Sequence, residues 1–260
     1  MYFKKIAFAL IGLCALNAHG TTSVKNASQH SASVQQSVIL QRLHPVLTFT
    51  AGAAMSRLGQ SQSFAPLDLC SYHYQPQGSK TNMLWGGFVG TEMKYTPAWG
   101  LIAGIGYYQP NSLSTKGTLT QGADQASNNV YIYRYQTQSQ QLLAEGKLYW
   151  VANERVRPFL MFGIGAAFNK TSHYQTNVSP FLEFTPSFAN NTQTQFTYAV
   201  GPGLDVSLTP SFRVGAGYRF TDLGAANTGT GQIDAIPISN RLHQSPLYAS
   251  EALLQLTYVI

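Results

Sequence analysis

From Pro45 to its end the chain repeats eight runs in which every second residue is apolar, a two-residue period that fits β-strands with one face in an apolar medium. In Leu47-Thr48-Phe49-Thr50-Ala51-Gly52-Ala53 the odd positions are apolar and the even ones polar or glycine. Beyond the N-terminal segment there is no uncharged apolar run of about 18 residues, so membrane-spanning helices are excluded. Charge then decides what the strands face. Lys and Arg number 16 and Asp and Glu 10, only 10% of 260 residues, where a soluble domain carries about 25%. An aromatic content of 12% and 23 glycines exclude a solvated coil. A chain too poor in charge for water and too interrupted for helical insertion fits a transmembrane β-barrel.

The remaining runs are residues 83–95, 99–108, 131–150, 157–168, 195–208, 212–220 and 248–260. Three connections are short: 96–98, 152–155 and 209–211. Four are long: roughly 54–82, 109–130, 169–192 and 222–247. This alternation predicts short periplasmic turns and long outer loops. Pro202 cannot donate to a ladder and predicts a bulge. Tyr107, Tyr108, Tyr131, Tyr133 and Tyr135 fall near the outer ends of their runs and predict an interfacial girdle.

The N-terminus carries an export address. Lys4 and Lys5 precede the apolar stretch Ile6 to Leu16 and the small-residue pattern Ala18-His19-Gly20, so residues 1–20 read as a signal peptide cleaved near Gly20. Residues 21–44, rich in Ser, Gln, Ala and Asn, read as a flexible periplasmic leader, and 45–260 as the barrel. Removing the peptide takes Cys14 and leaves Cys70 as a free thiol. The mature chain then holds 14 basic against 10 acidic residues with no basic run, which argues against a nucleic-acid partner.

Signal peptide, eight alternating strands, three short turns, four long loops and an aromatic-rich last strand together resemble the small OmpA-, OmpX- and opacity-type outer-membrane proteins. The terminal Ile260 departs from them, since they commonly end in Phe or Trp. The resemblance implies an all-β, eight-stranded antiparallel up-and-down barrel in the outer membrane of a Gram-negative bacterium. A monomer among outer-membrane lipids and lipopolysaccharide is expected, and the loops, rich in Gln, Asn, Ser, Thr and Gly and poor in charge, suit hydrogen bonding to sugars, lipopolysaccharide or a host or cell-surface ligand.

Strand parity points Glu92, Glu145, Asp205 and Glu251 inward with Lys94, Lys147, Arg213 and Arg219. Eight strands enclose little more than their own side chains, so these charges read as a paired network that plugs the lumen. Inward glycines are expected to make room for the Lys and Arg stems. A network able to rearrange is the alternative, a narrow gated pore. None of the Gly-x-Gly pieces opens a helix in a βαβ unit, so no dinucleotide site is expected. Cys70 and His73 are too few ligands for a metal site, and no cofactor is implied.

A second alternative is catalytic. His243-Gln244-Ser245 with Glu251 resembles the His-x-Ser and carboxylate of outer-membrane lipid A deacylases, which implies that His243 would activate Ser245 for acyl transfer. Pro246 stands where that family has Asn, and the parity of Glu251 places it in the lumen.

Overall fold

Each alternating run forms a strand, and the strands close on themselves. The computed structural model describes residues 43–57, 59–66, 70–122, 129–153, 155–178 and 185–260. The expected signal peptide and nearly all of the expected leader lie outside the described residues. The strands are β1 (Leu43–Arg57), β2 (Gln62–Phe64), β3 (Ser71–Pro76), β4 (Ser79–Lys94), β5 (Trp99–Pro110), β6 (Leu113–Gly122) and β7 (Asn129–Trp150). They continue as β8 (Val156–Thr176), β9 (Ser187–Phe188), β10 (Asn191–Ser207), β11 (Phe212–Asp222), β12 (Gly231–Ile233), β13 (Ile236–Ile238) and β14 (Tyr248–Val259). Eight of them pair in the order β1–β4–β5–β7–β8–β10–β11–β14, every neighbour antiparallel, and β14 returns to β1. In lipid a closed ring leaves no unpaired backbone edge.

Alternation sorts the two faces. Phe49, Val89, Ile105, Phe162, Ile164 and Leu254 are exposed on the outside, while Val46, Leu84, Phe88, Ile102, Leu143 and Phe159 are buried in the lumen. Outward aromatics form two belts. Tyr95, the stacked Trp99–Trp150 pair and Phe212 with Tyr258 mark one end. Trp85 against Tyr107, and Phe220 against Tyr248, mark the other.

At the first end the turns are set by their own side chains. Thr96 Oγ1 accepts from the Trp99 N–H at 3.0 Å, Asn153 Oδ1 from the Val156 N–H at 2.8 Å, and Thr209 Oγ1 from the Phe212 N–H at 2.9 Å. Short polar side chains that fold back on the backbone in this way replace the hydrogen bonds a turn breaks.

Three expectations need correction. The first two outer connections are largely strand: β5 resumes after residues 111–112 as β6, and both run against β7, giving a hairpin with limbs 99–122 and 129–150. β2 and β3 add to the free side of β6. Along β7 the apolar residues change face. Leu142, Leu148 and Trp150 point outward, but further up Tyr133 and Tyr135 are buried and Arg134 and Gln136 are exposed. The upper wall is therefore patterned like a soluble sheet, apolar inside, and Tyr131, Tyr133 and Tyr135 are core rather than girdle; of the five tyrosines expected there, Tyr107 alone keeps that place, while Tyr108 is buried.

Pro202 makes no bulge. Its pairing with Leu160 continues on the β8 side and only the β11 side lapses, where the registers before and after agree. The irregularity lies instead opposite Tyr135, between Ser172 and Gln175, where His173 has φ 57°.

Gel mobility offers a direct check. Unboiled protein is expected to migrate differently from boiled protein, and identical mobility would rule out a ring held by its own strand pairs.

Candidate functional site

Inward positions build three charged layers along the lumen. In the lowest, Glu92 binds Arg213 Nη2 at 2.7 Å, lies 3.7 Å from Arg157 and accepts the Tyr149 hydroxyl. In the middle, Lys147 Nζ donates to Gln255 at 2.6 Å and to Asp205 at 3.3 Å, over the ring of Phe159. In the upper layer Arg219 donates to Glu251 at 2.5 Å and to Glu145 at 3.2 Å, with its guanidinium 3.9 Å from the centre of the Tyr108 ring. Tyr108 donates to Glu145 at 2.7 Å and Gln141 to Glu251 at 3.4 Å. Arg219 and Glu251 face each other directly across the β11–β14 ladder, and Tyr108 reaches Glu145 on the neighbouring β7, whereas Arg213–Glu92, Lys147–Gln255 and Arg219–Glu145 join strands that are not neighbours in the ring.

Seven of the eight expected network residues meet here. Lys94 does not: it is the last residue of β4 and is exposed at the periplasmic mouth. Arg157, at the start of β8 and opposite Asp205, takes its place and keeps four bases against four acids. Its odd position in a run with inward odd residues was the signal.

Glycines open the space, chiefly for acids and rings rather than for Lys and Arg stems. A Cβ on Gly215 would stand 2.1 Å from Asp205 Oδ1, and one on Gly86 2.3 Å from the Tyr108 ring.

Above the layers the mouth is roofed. The β11–β14 connection folds back as an irregular hairpin, with Ala226 N donating to Gln244 O at 2.8 Å and Thr228 N to Leu242 O at 3.0 Å. Side-chain amides and a hydroxyl tie it to the wall. Asn169 donates to Leu223 O and Ala225 O at 2.7 and 2.8 Å, Gln193 to Ala225 O at 2.7 Å, and Thr171 to Asn227 O at 2.7 Å. Gln244, buried, reaches Arg57 O at 3.2 Å on one side and Thr137 at 3.4 Å on the other. Much of the loop amide content expected to face ligands is thus spent inside.

Over this hairpin lies a second core of Tyr72, Tyr74, Leu119, Tyr133, Tyr135, Phe188, Ile233, Ile238 and Leu242. Phe188 meets Tyr174 edge-on at 5.0 Å, and Tyr74 meets Tyr133 at 5.1 Å. Cys70 is a free thiol partly buried against it.

Burial raises the hydroxyls of this core. It pushes Tyr135 from 10.0 to about 12 and, with the neighbouring Tyr174, lifts Tyr74 well above the usual phenol range. A raised folded value means that stability is fully present below pH 10 and drains away as pH climbs through the folded value. The roof is therefore expected to become protease-sensitive between about pH 10 and 12 while the ring keeps its gel shift; cleavage that is flat over that window would contradict a buried phenol cluster.

The hydrolase candidates are not brought together. Glu251 is sealed in the lumen against Arg219, whereas His243 and Ser245 are exposed on the hairpin. Both are held through backbone groups: the His243 N–H donates to Gln62 Oε1 at 3.0 Å, Gln62 Nε2 donates to His243 O at 3.3 Å, and Gln60 Nε2 donates to Ser245 O. Among the described residues no three His, Cys, Asp or Glu side chains gather into a metal site.

Residues 45–238 match the family model of the outer membrane protein beta-barrel domain. No match was found among the curated proteins. Solved structures similar to the chain include Neisserial surface protein A, at 13% identity over 83% of this chain and 96% of that one with a TM-score of 0.39. Ail, the attachment invasion locus protein of Yersinia pestis, is similar at 15% identity over 83% and 98% with a TM-score of 0.36. The outer membrane protein OprG of Pseudomonas aeruginosa is similar at 10% identity over 82% and 95% with a TM-score of 0.46. With the family model covering most of the strands that make the ring, this chain belongs to the outer membrane β-barrel family and resides in the bacterial outer membrane.

Proposed function

We propose that this barrel is a closed, non-conducting outer-membrane protein that acts through its outer roof, in an adhesin-like or structural role, and that no side chain is catalytic. The observation that carries the reading is the roof: hairpin, aromatic core and amide ties give the outer mouth a fixed shape, which suits a recognition surface better than a gate. Beneath it three paired layers fill a lumen with little room to spare. Because β1 and β14 of one chain close the ring, a monomer is sufficient.

Shortening the connections between β2 and β3 and between β12 and β13 is expected to abolish cell-surface binding while the gel shift is retained. Binding unchanged by both deletions would overturn the surface role. Planar-bilayer conductance is expected to stay at background, and channel steps that change when Glu92, Asp205, Arg213 or Arg219 is varied would establish a pore instead. Mass spectrometry of lipid A from cells carrying Ser245→Ala is expected to match that from the parent; a difference would restore the hydrolase reading.

A further inference from the structure

The outside of the wall formed by β6, β7 and β8 differs from the rest of the barrel surface. On β8, Phe168 is the last outward apolar residue, and the next outward position is Lys170, about 7 Å further along the strand. Three positions on, the irregularity at His173 reverses the alternation of β8. Tyr174 turns into the roof core, and His173 and Gln175 come to the outer face.

Two grooves follow. The lower is lined by Gln136, Gln138, Lys170, Ser172 and His173, and the upper by Lys116, Ile132, Arg134 and Gln175. Lys116 lies directly opposite Arg134 across the β6–β7 ladder, and Arg134 Nε donates to Gln175 at 2.8 Å, which holds its guanidinium against the wall. Lys170 pairs with Gln138, four residues below Arg134 on β7, so the two basic levels are about 13 Å apart along the strand. Residues 107–122, 129–144 and 164–178 contain no Asp or Glu, and none of Lys116, Arg134 and Lys170 makes an ion pair among the described residues. Below the lower groove the Tyr107 hydroxyl of the aromatic belt donates to Gln109, which also accepts from Gln140, so the polar strip joins the lipid-facing band.

We propose that this face binds the phosphorylated saccharide headgroup of an outer-leaflet glycolipid. Lys170 and His173 meet the anionic group nearest the acyl chains, Arg134 and Lys116 a second one further out, and the glutamines between them the sugar hydroxyls. Continuity with the lipid-facing surface is what selects a membrane-anchored ligand over a soluble polyanion: acyl chains packed on Phe168 deliver the headgroup to Lys170. Phosphate also suits the Arg134 fork, which can bind two oxygens at once. The assignment depends on the chain's place in the outer membrane and not on any partner of the roof.

The test uses the full chain folded in phosphatidylcholine vesicles containing bisphosphorylated lipopolysaccharide, released in mild detergent and weighed by native mass spectrometry. Wild type is expected to retain the glycolipid. Lys116→Ala/Arg134→Ala/Lys170→Ala is expected to lose about a hundredfold in retention, at roughly 1 kcal/mol for each basic residue near an anionic surface. Lys94→Ala, at the opposite mouth, is expected to behave as wild type. Phosphatase-treated lipopolysaccharide is expected not to be retained, and soluble inositol hexakisphosphate not to displace the intact form. Equal retention by the triple variant, equal retention of the dephosphorylated form, or displacement by the soluble polyanion would each overturn the assignment. Should the triple variant lose its gel shift, Lys170→Ala and Arg134→Ala singly decide the matter, each expected to lose about fivefold. Deleting the roof tips leaves these residues in place, so loss of surface binding and loss of glycolipid are separable results.

Discussion

Replacing Arg219 with Met is expected to lower the stability of the barrel by about 3–5 kcal/mol, the largest effect of any single substitution considered. Its guanidinium holds two carboxylates that have no other cation at hydrogen-bond distance among the described residues, Glu251 at 2.5 Å and Glu145 at 3.2 Å, and Arg219 and Glu251 are both cut off from solvent. Removing the cation leaves two buried acids a few ångströms apart, where each ion costs several kcal/mol of lost hydration. The measurement is urea unfolding in phospholipid vesicles, followed by loss of the gel shift. Neutralising the whole set, as Arg219→Met with Glu145→Gln and Glu251→Gln, removes the orphaned charges and is expected to recover at least half of the loss. The exposed Lys94 offers a contrast, and Lys94→Met should change stability by no more than about 0.5 kcal/mol. If Arg219→Met cost less than Lys94→Met, the layers would not be holding the barrel.

Val89→Arg is expected to cost about 2–4 kcal/mol, by a different mechanism. Val89 lies on β4 between Trp85 of the outer belt and Tyr95 of the inner one, and it is 61% exposed. In water such a position would accept arginine with almost no penalty. In lipid the guanidinium must reach along the strand toward either interface or draw water inward. The paired control is Ile132→Arg on the upper wall, similarly exposed at 56% but above the aromatic belt, where a change within about 0.5 kcal/mol is expected. Equal costs at the two positions would mean that the membrane does not end at the belt.

The ring was legible in the sequence because lipid imposes a strict rule on every second residue. All eight runs recur as strands of the ring, and seven of the eight inward charges stand in the layers. The girdle reading failed where the environment changed, although parity held. Tyr131, Tyr133 and Tyr135 stand at odd positions of β7, the inward set that also holds Glu145 and Lys147, and beyond Leu142 the outer solvent is water and the apolar residues take that inward face. A period shows which residues share a face; it does not show which medium that face meets. Lys94 failed for a related reason, since inward parity means burial only while the strand stays within the barrel.

The roof was hidden for another reason. Its ties join Asn169, Gln193 and Gln244 to backbone groups more than 30 residues away, and no local spacing encodes a contact of that kind. His243 and Ser245 are grouped with Glu251 only by the resemblance of His243-Gln244-Ser245 to a His-x-Ser motif; the segment carrying them is not strand, so no alternation sets which way they point.

The pairing of β1 with β14 also limits the path by which the barrel can assemble. A sheet that lacks only its last strand would present two rows of unpaired amides and carbonyls to hydrocarbon, and each unsatisfied group costs several kcal/mol there. Stepwise insertion, one hairpin at a time, would pass through a series of such states. The first strand to leave the export machinery must therefore wait for the last, and the whole sheet must curl shut at the membrane surface, or against another protein that shields its two margins, before it enters the bilayer.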